Sequence, residues 1–465
     1  MLPQEAVDPL ATPAARWAFG AIGVLLIATL ARELPRIPKQ LLVLMATAFV
    51  DMIGLFLIVP LLPFYVMQLA GEGVELPLLG KLEAGTLIGI VVSCYTVAQL
   101  LSAPLWGRLS DRMGRRPVLL VALFASAIAY LIFGFADSLW MLLLSRLVQG
   151  AGGGTVGVIQ AYVADSVEPD QRARGLGWLS AATNLGVALG PAIGWILVAV
   201  GELDLMPGET SVSLGLAAPG IGAALLCLLN MAFAAKYLPE SRQAPAAATA
   251  ARPTSARQAA WRVIVRFKEP APRLIWIYGI AIGSFQGIMP MLAPFLKERF
   301  QITKETIGPV FMWIGAISVW ARVLLLGRLV DRFGEARVSR VGIVIMSTGL
   351  LGMAFVGSLW TLAVALALLP LGAALTFPCV TSLLSRTVAP TERGLYMGLQ
   401  QSFGATSRVT APLVYGLAFD HLGKAVPFHL AAGLVLSTSL LAMGLGPARD
   451  PRSRDILSPP TKGGS

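Results

Sequence analysis

Gly107-Arg108-Leu109-Ser110-Asp111-Arg112-Met113-Gly114-Arg115-Arg116-Pro117 is the stretch that decides the fold. It packs four arginines, one aspartate and two glycines into eleven positions, yet lies between apolar runs long enough to cross a bilayer. Such residues have no place in hydrocarbon. The stretch is therefore expected to be a tight turn at a membrane surface, and its arginine excess puts that surface on the cytoplasmic side. The same wording returns 220 positions later as Gly327-Arg328-Leu329-Val330-Asp331-Arg332-Phe333-Gly334, so Gly107, Asp111, Arg112 and Gly114 each have an identical counterpart. The chain carries an internal duplication.

Composition agrees with a membrane setting. The 465 residues are 56% hydrophobic and 13% charged, with a mean hydropathy of +0.74, where a soluble domain carries about a quarter charged residues. A formal net charge of +11 would suggest nucleic acid in a soluble chain. Here Lys and Arg gather in short loops between apolar runs and set topology, so no nucleic-acid partner is expected. Cys94, Cys227 and Cys379 fall inside apolar runs far apart, which argues against a disulfide framework or a metal site. Gly152-Gly153-Gly154-Thr155-Val156-Gly157 satisfies G-x-G-x-x-G, but no strand precedes it and an apolar helix surrounds it, so a nucleotide-binding reading is set aside. With no nucleophile-base pair or metal cluster visible, neither an enzyme nor a cofactor is expected.

Apolar runs of spanning length occur near 40–68, 84–106, 117–136, 139–163, 175–200 and 214–238, and again near 273–296, 306–327, 338–357, 359–385, 394–419 and 425–446. The expectation is an all-α membrane protein with twelve transmembrane helices, six (40–238) and six (273–446). Arg-rich connections alternate without a break with short, mixed or acidic ones, placing both ends of the twelve-helix core in the cytoplasm of a cell with this protein in its inner (plasma) membrane. Residues 239–272, with prolines, an Ala-rich run and basic side chains, read as a basic cytoplasmic linker in which Trp261 to Phe267 suits an amphipathic surface helix. Residues 1–39 form an appendage whose apolar core, between Arg16 and Arg32, is short for a span. Residues 447–465 read as a disordered tail.

The pattern G-x-L-x-D-R-x-G-R-R and its echo resemble the loops after the second and eighth helices of the major facilitator superfamily. The resemblance implies two six-helix bundles related by a pseudo-two-fold axis, with a substrate site near the midplane between them. It also implies a latch built from Gly107, Asp111, Arg112, Gly114, Arg115, Arg116, Asp165, Asp331 and Arg332. In it Asp111 faces the amino end of the eleventh helix, where the helix dipole favours an anion, and Arg112 reaches Asp165. Leu142, Arg146, Gln149 and Gly150 resemble the fourth-helix motif of proton-coupled members, which implies a proton-transfer role for Arg146. Gly186, Gly190, Pro191 and Gly194 resemble the fifth-helix motif of the drug-and-proton antiporters, the tetracycline and multidrug branch. Trp195 stands where that motif has a final glycine.

Charged side chains inside a membrane helix are functional candidates by default. Asp51 lies eleven residues into the first run, about 16 Å along at 1.5 Å per residue, near the midplane. The matching run of the second half, Leu274 to Leu296, has no acid, and Arg146 is matched by Leu366. Shared features thus read as scaffold and unshared charges as chemistry, with Asp51 and Arg146 as the proton-coupling pair. Arg322 and Arg408 are left between anion recognition and packing. Gln149, Phe285, Gln286, Arg322 and Arg408 are candidate cavity residues, a set suited to amphipathic molecules. The reading is a proton-coupled exporter of such small molecules, working as a monomer in the lipid bilayer. The alternatives are a proton-driven importer or facilitator of an organic anion, and a non-transporting receptor on the same scaffold.

Overall fold

The computed structural model describes residues 37–71, 73–76, 80–167, 172–202, 215, 217–241, 256–389 and 392–443. The expected appendage up to residue 36, the centre of the linker and the expected tail lie outside the described residues. Spans 1 to 6 are Lys39–Ala70, Ala84–Met113, Arg115–Gly134, Leu139–Val163, Gly175–Gly201 and Ala217–Tyr237. Spans 7 to 10 are Pro270–Phe300, Ile307–Phe333, Glu335–Met353 and Leu359–Thr387, and span 12 is Val426–Met443. These eleven are long and apolar enough to cross a membrane. The expected eleventh span is the helix Arg393–His421, 29 residues long. Gln400, Gln401, Ser402, Thr406, Arg408 and Thr410 make it the polar exception.

The local structure departs from the sequence reading in four places. The helix of span 2 continues to Met113 and the helix of span 3 starts at Arg115, so the expected surface loop shrinks to one residue, Gly114. Asp111 and Arg112 therefore sit on a last helical turn, as do Asp331 and Arg332 before Gly334. Both glycines need their lack of a side chain: φ is +103° at Gly114 and +78° at Gly334. Span 1 is interrupted between Ile58 and Leu62, around Pro60. Span 4 is not one helix but two, Leu139–Gly152 and Val156–Ser166, parted at the glycine run. Finally, Val74–Leu76 and Gly80–Leu82 pair as an antiparallel hairpin in an otherwise helical chain.

The halves pack alike. Span 1 lies on spans 5 and 6, and span 3 on spans 4 and 6, while in the second half span 7 lies on spans 11 and 12, and span 9 on spans 10 and 12. The halves meet chiefly through two crossed contacts, span 2 on span 11 and span 5 on span 8, with span 7 also touching span 2 and the end of span 1. Trp140 and Trp360, 220 positions apart, are 73% and 78% exposed in the first turn of spans 4 and 10, each span capped at its start by a serine, Ser138 or Ser358. Matched, exposed tryptophans at one level suit a membrane interface. Between the bundles, the linker helix Ala256–Val265 buries Ala259 and Val263, and Val263 accepts a hydrogen bond from the Trp276 indole (2.9 Å). Arg262, and with it Arg266, clamps Glu269 just before span 7 and holds its carboxyl below the usual range.

Candidate functional site

Asp51 stands on span 1 where span 5 lies closest. A Cβ at Gly186 would fall 2.5 Å from Phe49 O and 2.8 Å from Met52 Cβ; one at Gly190 would fall 2.8 Å from Phe56 Cβ and 2.9 Å from Ile53 O. Gly194 meets Leu57 in the same way. The glycines of the fifth-helix motif are thus a groove for the helix that bears the acid, and the span 1 residues they meet, Phe49, Met52, Ile53, Phe56 and Leu57, lie on the helix face away from Asp51. Tyr130 of span 3 fills the space beside Gly54. Tyr95, Tyr130 and Cys227, from spans 2, 3 and 6, lie within electrostatic reach of Asp51. Among the described residues the Asp51 carboxylate makes no hydrogen bond or ion pair.

Arg146 is 2% exposed, its guanidinium 5.0 Å above the Phe133 ring. Its Nε donates to Ser145 Oγ (3.3 Å), while Nη2 is buried without a hydrogen-bond partner among the described residues, as is Gln149 Oε1 one turn on. An unpaired buried guanidinium nitrogen is costly, and functional sites are where such costs are kept. Tyr95 links the two sides: Asp51, Arg146 and, from span 11, Arg408 all lie within its electrostatic reach. Arg408 makes no hydrogen bond or ion pair among the described residues. Arg322 stands apart from this group. It sits in a π-helical turn, Ala321–Leu325, and donates to Asn184 Oδ1 of span 5, tying span 8 to the other half. The opposite wall is aromatic, with Phe377 edge-on to both Tyr278 (5.8 Å) and Phe285 (6.1 Å), and Trp276 edge-on to Phe403 (5.5 Å). Gln286 is exposed beside Phe285.

The two faces of the molecule differ. On the face bearing both Asp-Arg turns, a Cβ added at Gly107, Gly327, Gly394 or Gly398 would meet nothing within 4 Å. Asp111, 66% exposed, pairs with Arg115 on its own side (2.5 Å) rather than with span 11. Arg115 also holds Asp165 (3.2 Å), Glu240 accepts from the Arg115 and Arg116 backbone (2.8 and 3.2 Å), and the Arg116 guanidinium reaches Ala235 O. In the second half the polarity of this brace is reversed: Glu335, 220 positions after Arg115, accepts from Ser382 Oγ (2.6 Å) and Arg386 (3.1 Å) of span 10. Arg332 lies over Phe333 (5.5 Å), and Asp331 makes no bond among the described residues.

On the opposite face the halves are sewn together. Asp420, ending span 11, accepts from Gly85 N (3.0 Å), Thr86 N (2.7 Å) and Thr86 Oγ1 (2.7 Å) at the start of span 2. Below it Ser93 Oγ donates to Val409 O (2.7 Å). Trp195, the departure from the antiporter motif, donates its indole N–H to Glu305 O (2.6 Å), and Lys304 pairs with Glu202 (3.6 Å). Sequence reading missed Tyr95, Glu240 and Asp420. Asp420 had a signal: Gly416, Asp420, His421 and Gly423 repeat the spacing of Gly107, Asp111, Arg112 and Gly114.

Comparison with known proteins fits this arrangement. The family model described as Major Facilitator Superfamily matches residues 44–324 and 274–462. A tetracycline resistance protein, class H, of Pasteurella multocida is 26% identical over 385 residues, 82% of this chain and 90% of that protein. Major facilitator superfamily domain-containing protein 10 of Mus musculus is 26% identical over 439 residues, 87% and 92% of the two chains. Among solved structures, the human organic anion transporter MFSD10 superposes with a TM-score of 0.61 at 25% identity, over 87% of this chain and 99% of that one. A point mutant of the nucleoside transporter NupG gives 0.65 at 15% identity, over 87% and 99% of the two chains, a likeness of fold. With two matched bundles, a polar core between them and a family model spanning nearly the whole of both, the chain belongs to the Major Facilitator Superfamily and is a multi-pass membrane transporter of small molecules.

Proposed function

We propose that this transporter exports small amphipathic organic molecules in exchange for protons, with Asp51 as the proton carrier. The observation that carries the reading is Asp51 itself: a carboxylate in the middle of a span, with no bonded cation among the described residues, on the helix gripped by Gly186, Gly190 and Gly194. A carboxylate so placed gains most by binding a proton and is free to exchange it, because no fixed ion pair must first be broken. The site suits an amphipathic cargo, as Arg146, Gln149 and Tyr95 offer polar groups on one bundle and Phe285, Phe377 and Trp276 a π-rich wall on the other. The similarity to tetracycline resistance proteins supports export. In this reading the Asp-Arg face is cytoplasmic, both ends of the core lie on that side of the plasma membrane, the state described is inward-open, and the monomer is the working unit.

The test is uptake of ethidium or tetracycline into inverted vesicles under an imposed pH gradient. Asp51→Asn abolishes gradient-driven accumulation while leaving insertion and fold intact; undiminished accumulation refutes the assignment. A second reading has its own observation. Arg146 carries an unpaired buried nitrogen and Arg408 no bond among the described residues, so the pair could hold an organic anion, the cargo class named for the solved human MFSD10. Inhibition of dye transport by a panel of organic anions, lost in Arg408→Gln, favours it.

A further inference from the structure

The glycine run 152–157 has no place in the mechanism above, yet it breaks span 4 in an informative position. The break is anchored on its span 2 side: Gln99 Nε2 donates to Gly153 O (3.0 Å) and Trp106 Nε1 donates to Ala151 O. On the other side it closes a cavity of about 30 Å³ whose wall includes Thr47, Ala48, Asp51, Leu119, Ser126 and Thr155. The cavity lies inside the first bundle, apart from the space between bundles. Its residues extend from Asp51 back along span 1, to the early turns of span 3 and the late turns of span 4, which is the direction of the Asp-Arg face.

Three hydroxyls enter this cavity: Thr47, Ser126 and Thr155, 5%, 7% and 7% exposed. Thr47 Oγ1 donates to Val43 O (2.9 Å) and keeps its acceptor lone pairs. Ser126 and Thr155 make no side-chain hydrogen bond among the described residues. Asn230 of span 6 donates to Thr47 O (2.9 Å) and fixes that wall. Buried hydroxyls are nearly always satisfied by protein or by ordered water, and about 10 to 15 Å³ admits one water. This cavity has room for one or two and offers each several oxygen partners.

We propose that the pocket behind Asp51, on the Asp-Arg side of the acid, is a water site through which the Asp51 carboxyl exchanges its proton, separately from the substrate path. In the step, the carboxyl O–H gives its proton to the first water while that water passes one of its own onward through Ser126 or Thr155, whose hydroxyl accepts one proton and releases another. Only O–H bonds break and form, and no charge is left on a hydroxyl. The titratable groups within electrostatic reach of Asp51 are Tyr95 of span 2, Tyr130 of span 3 and Cys227 of span 6. The cations Arg146 and Arg408 act on Tyr95. Gly153 and Gly154 of the break face span 2: a Cβ at Gly153 would meet the Tyr95 hydroxyl (3.2 Å), and one at Gly154 would meet Ser102 Oγ (2.5 Å) and Trp106 (2.8 Å).

The inference rests on the proton-carrier reading, and the test separates the two. The purified full-length protein is taken through a pH jump while the carboxyl stretch assigned to Asp51, by its absence in Asp51→Asn, is followed in the infrared. Ala48→Leu, which fills the pocket, and Thr155→Val, which keeps its shape and removes the hydroxyl, are expected to slow proton exchange tenfold or more. Thr155→Ser is expected to restore it, and equal-pH dye exchange is expected to be unchanged in all three. Wild-type exchange rates in both Ala48→Leu and Thr155→Val overturn the water site and leave the carrier intact. No titrating Asp51 band in the wild-type protein overturns both.

Discussion

At the scale of single residues, burial and unpaired charge separate chemistry from scaffold. Both Asp51 and Arg146 lie in spans whose counterparts in the second half are apolar, and in the structure they sit around one tyrosine, Tyr95, without bonding to each other. That spacing leaves Arg146 able to stabilise whatever anion is present, the ionised Asp51 environment or a bound cargo. Arg146→Lys keeps the charge but loses the planar donor fork and the stacking on Phe133, so it should lower turnover at least tenfold while leaving expression near wild type. Arg146→Gln should be worse, and dye efflux in whole cells checks both. Both residues were legible in the sequence because a charge in a span is rare. Tyr95 was not, since a tyrosine in an apolar helix has many uses and only the fold brings it between Asp51, Arg146 and Arg408.

At the scale of elements, the contacts are set by glycines and helix ends. Span 5 rests on span 1 through Gly186, Gly190 and Gly194, which the sequence motif anticipated as close packing without naming the partner. Gly190→Val would drive a branched side chain into Phe56 and Ile53 O, an overpacking that costs about 1 to 3 kcal/mol. A fall in the thermal midpoint of the detergent-purified protein would show it. The break in span 4 was unreadable for the opposite reason, because hydropathy registers apolarity and not continuity of the hydrogen-bond ladder. The end of span 2 is only half legible: the sequence reads Asp111 and Arg112 as a loop, and the structure has them on the last turn of a helix. Asp420 is the element-level surprise. Its carboxylate closes the far face by taking two backbone N–H groups at the start of span 2, the place where a helix dipole favours an anion. Charge-assisted bonds of this kind contribute about 1.5 to 3 kcal/mol, so Asp420→Asn should move the equilibrium roughly tenfold toward opening on that face. Distances between spin labels on spans 2 and 11 at that face, broadened and lengthened in the variant, would report the shift; an unchanged distribution would mean that Trp195 and the glycine contacts hold the face without it.

At the scale of the whole molecule, the duplication makes a demand on topology that no single contact makes. Six spans separate Gly107 from Gly327, an even number, so both Asp-Arg turns must lie on one side of the membrane. Span 11 is the polar exception among the spans, and without it the number of spans in the second half is odd and the symmetry is lost. The structure restores it, since Arg393–His421 packs on span 7 as span 5 packs on span 1. Gly107 and Gly327 each have open space around them on the uncovered face. A cysteine at either position, in a chain whose Cys94, Cys227 and Cys379 are serine, should therefore react with a membrane-impermeant maleimide only when the cytoplasmic side is presented, and each should do so in inverted vesicles and fail in intact cells. Adding a transported dye during labelling should slow the reaction at both positions together if the halves close this face as units, as the proposed transport cycle requires. Labelling of the two positions from opposite sides would contradict the paired-bundle architecture, and protection at one position alone would mean that the bundles do not move as rigid bodies.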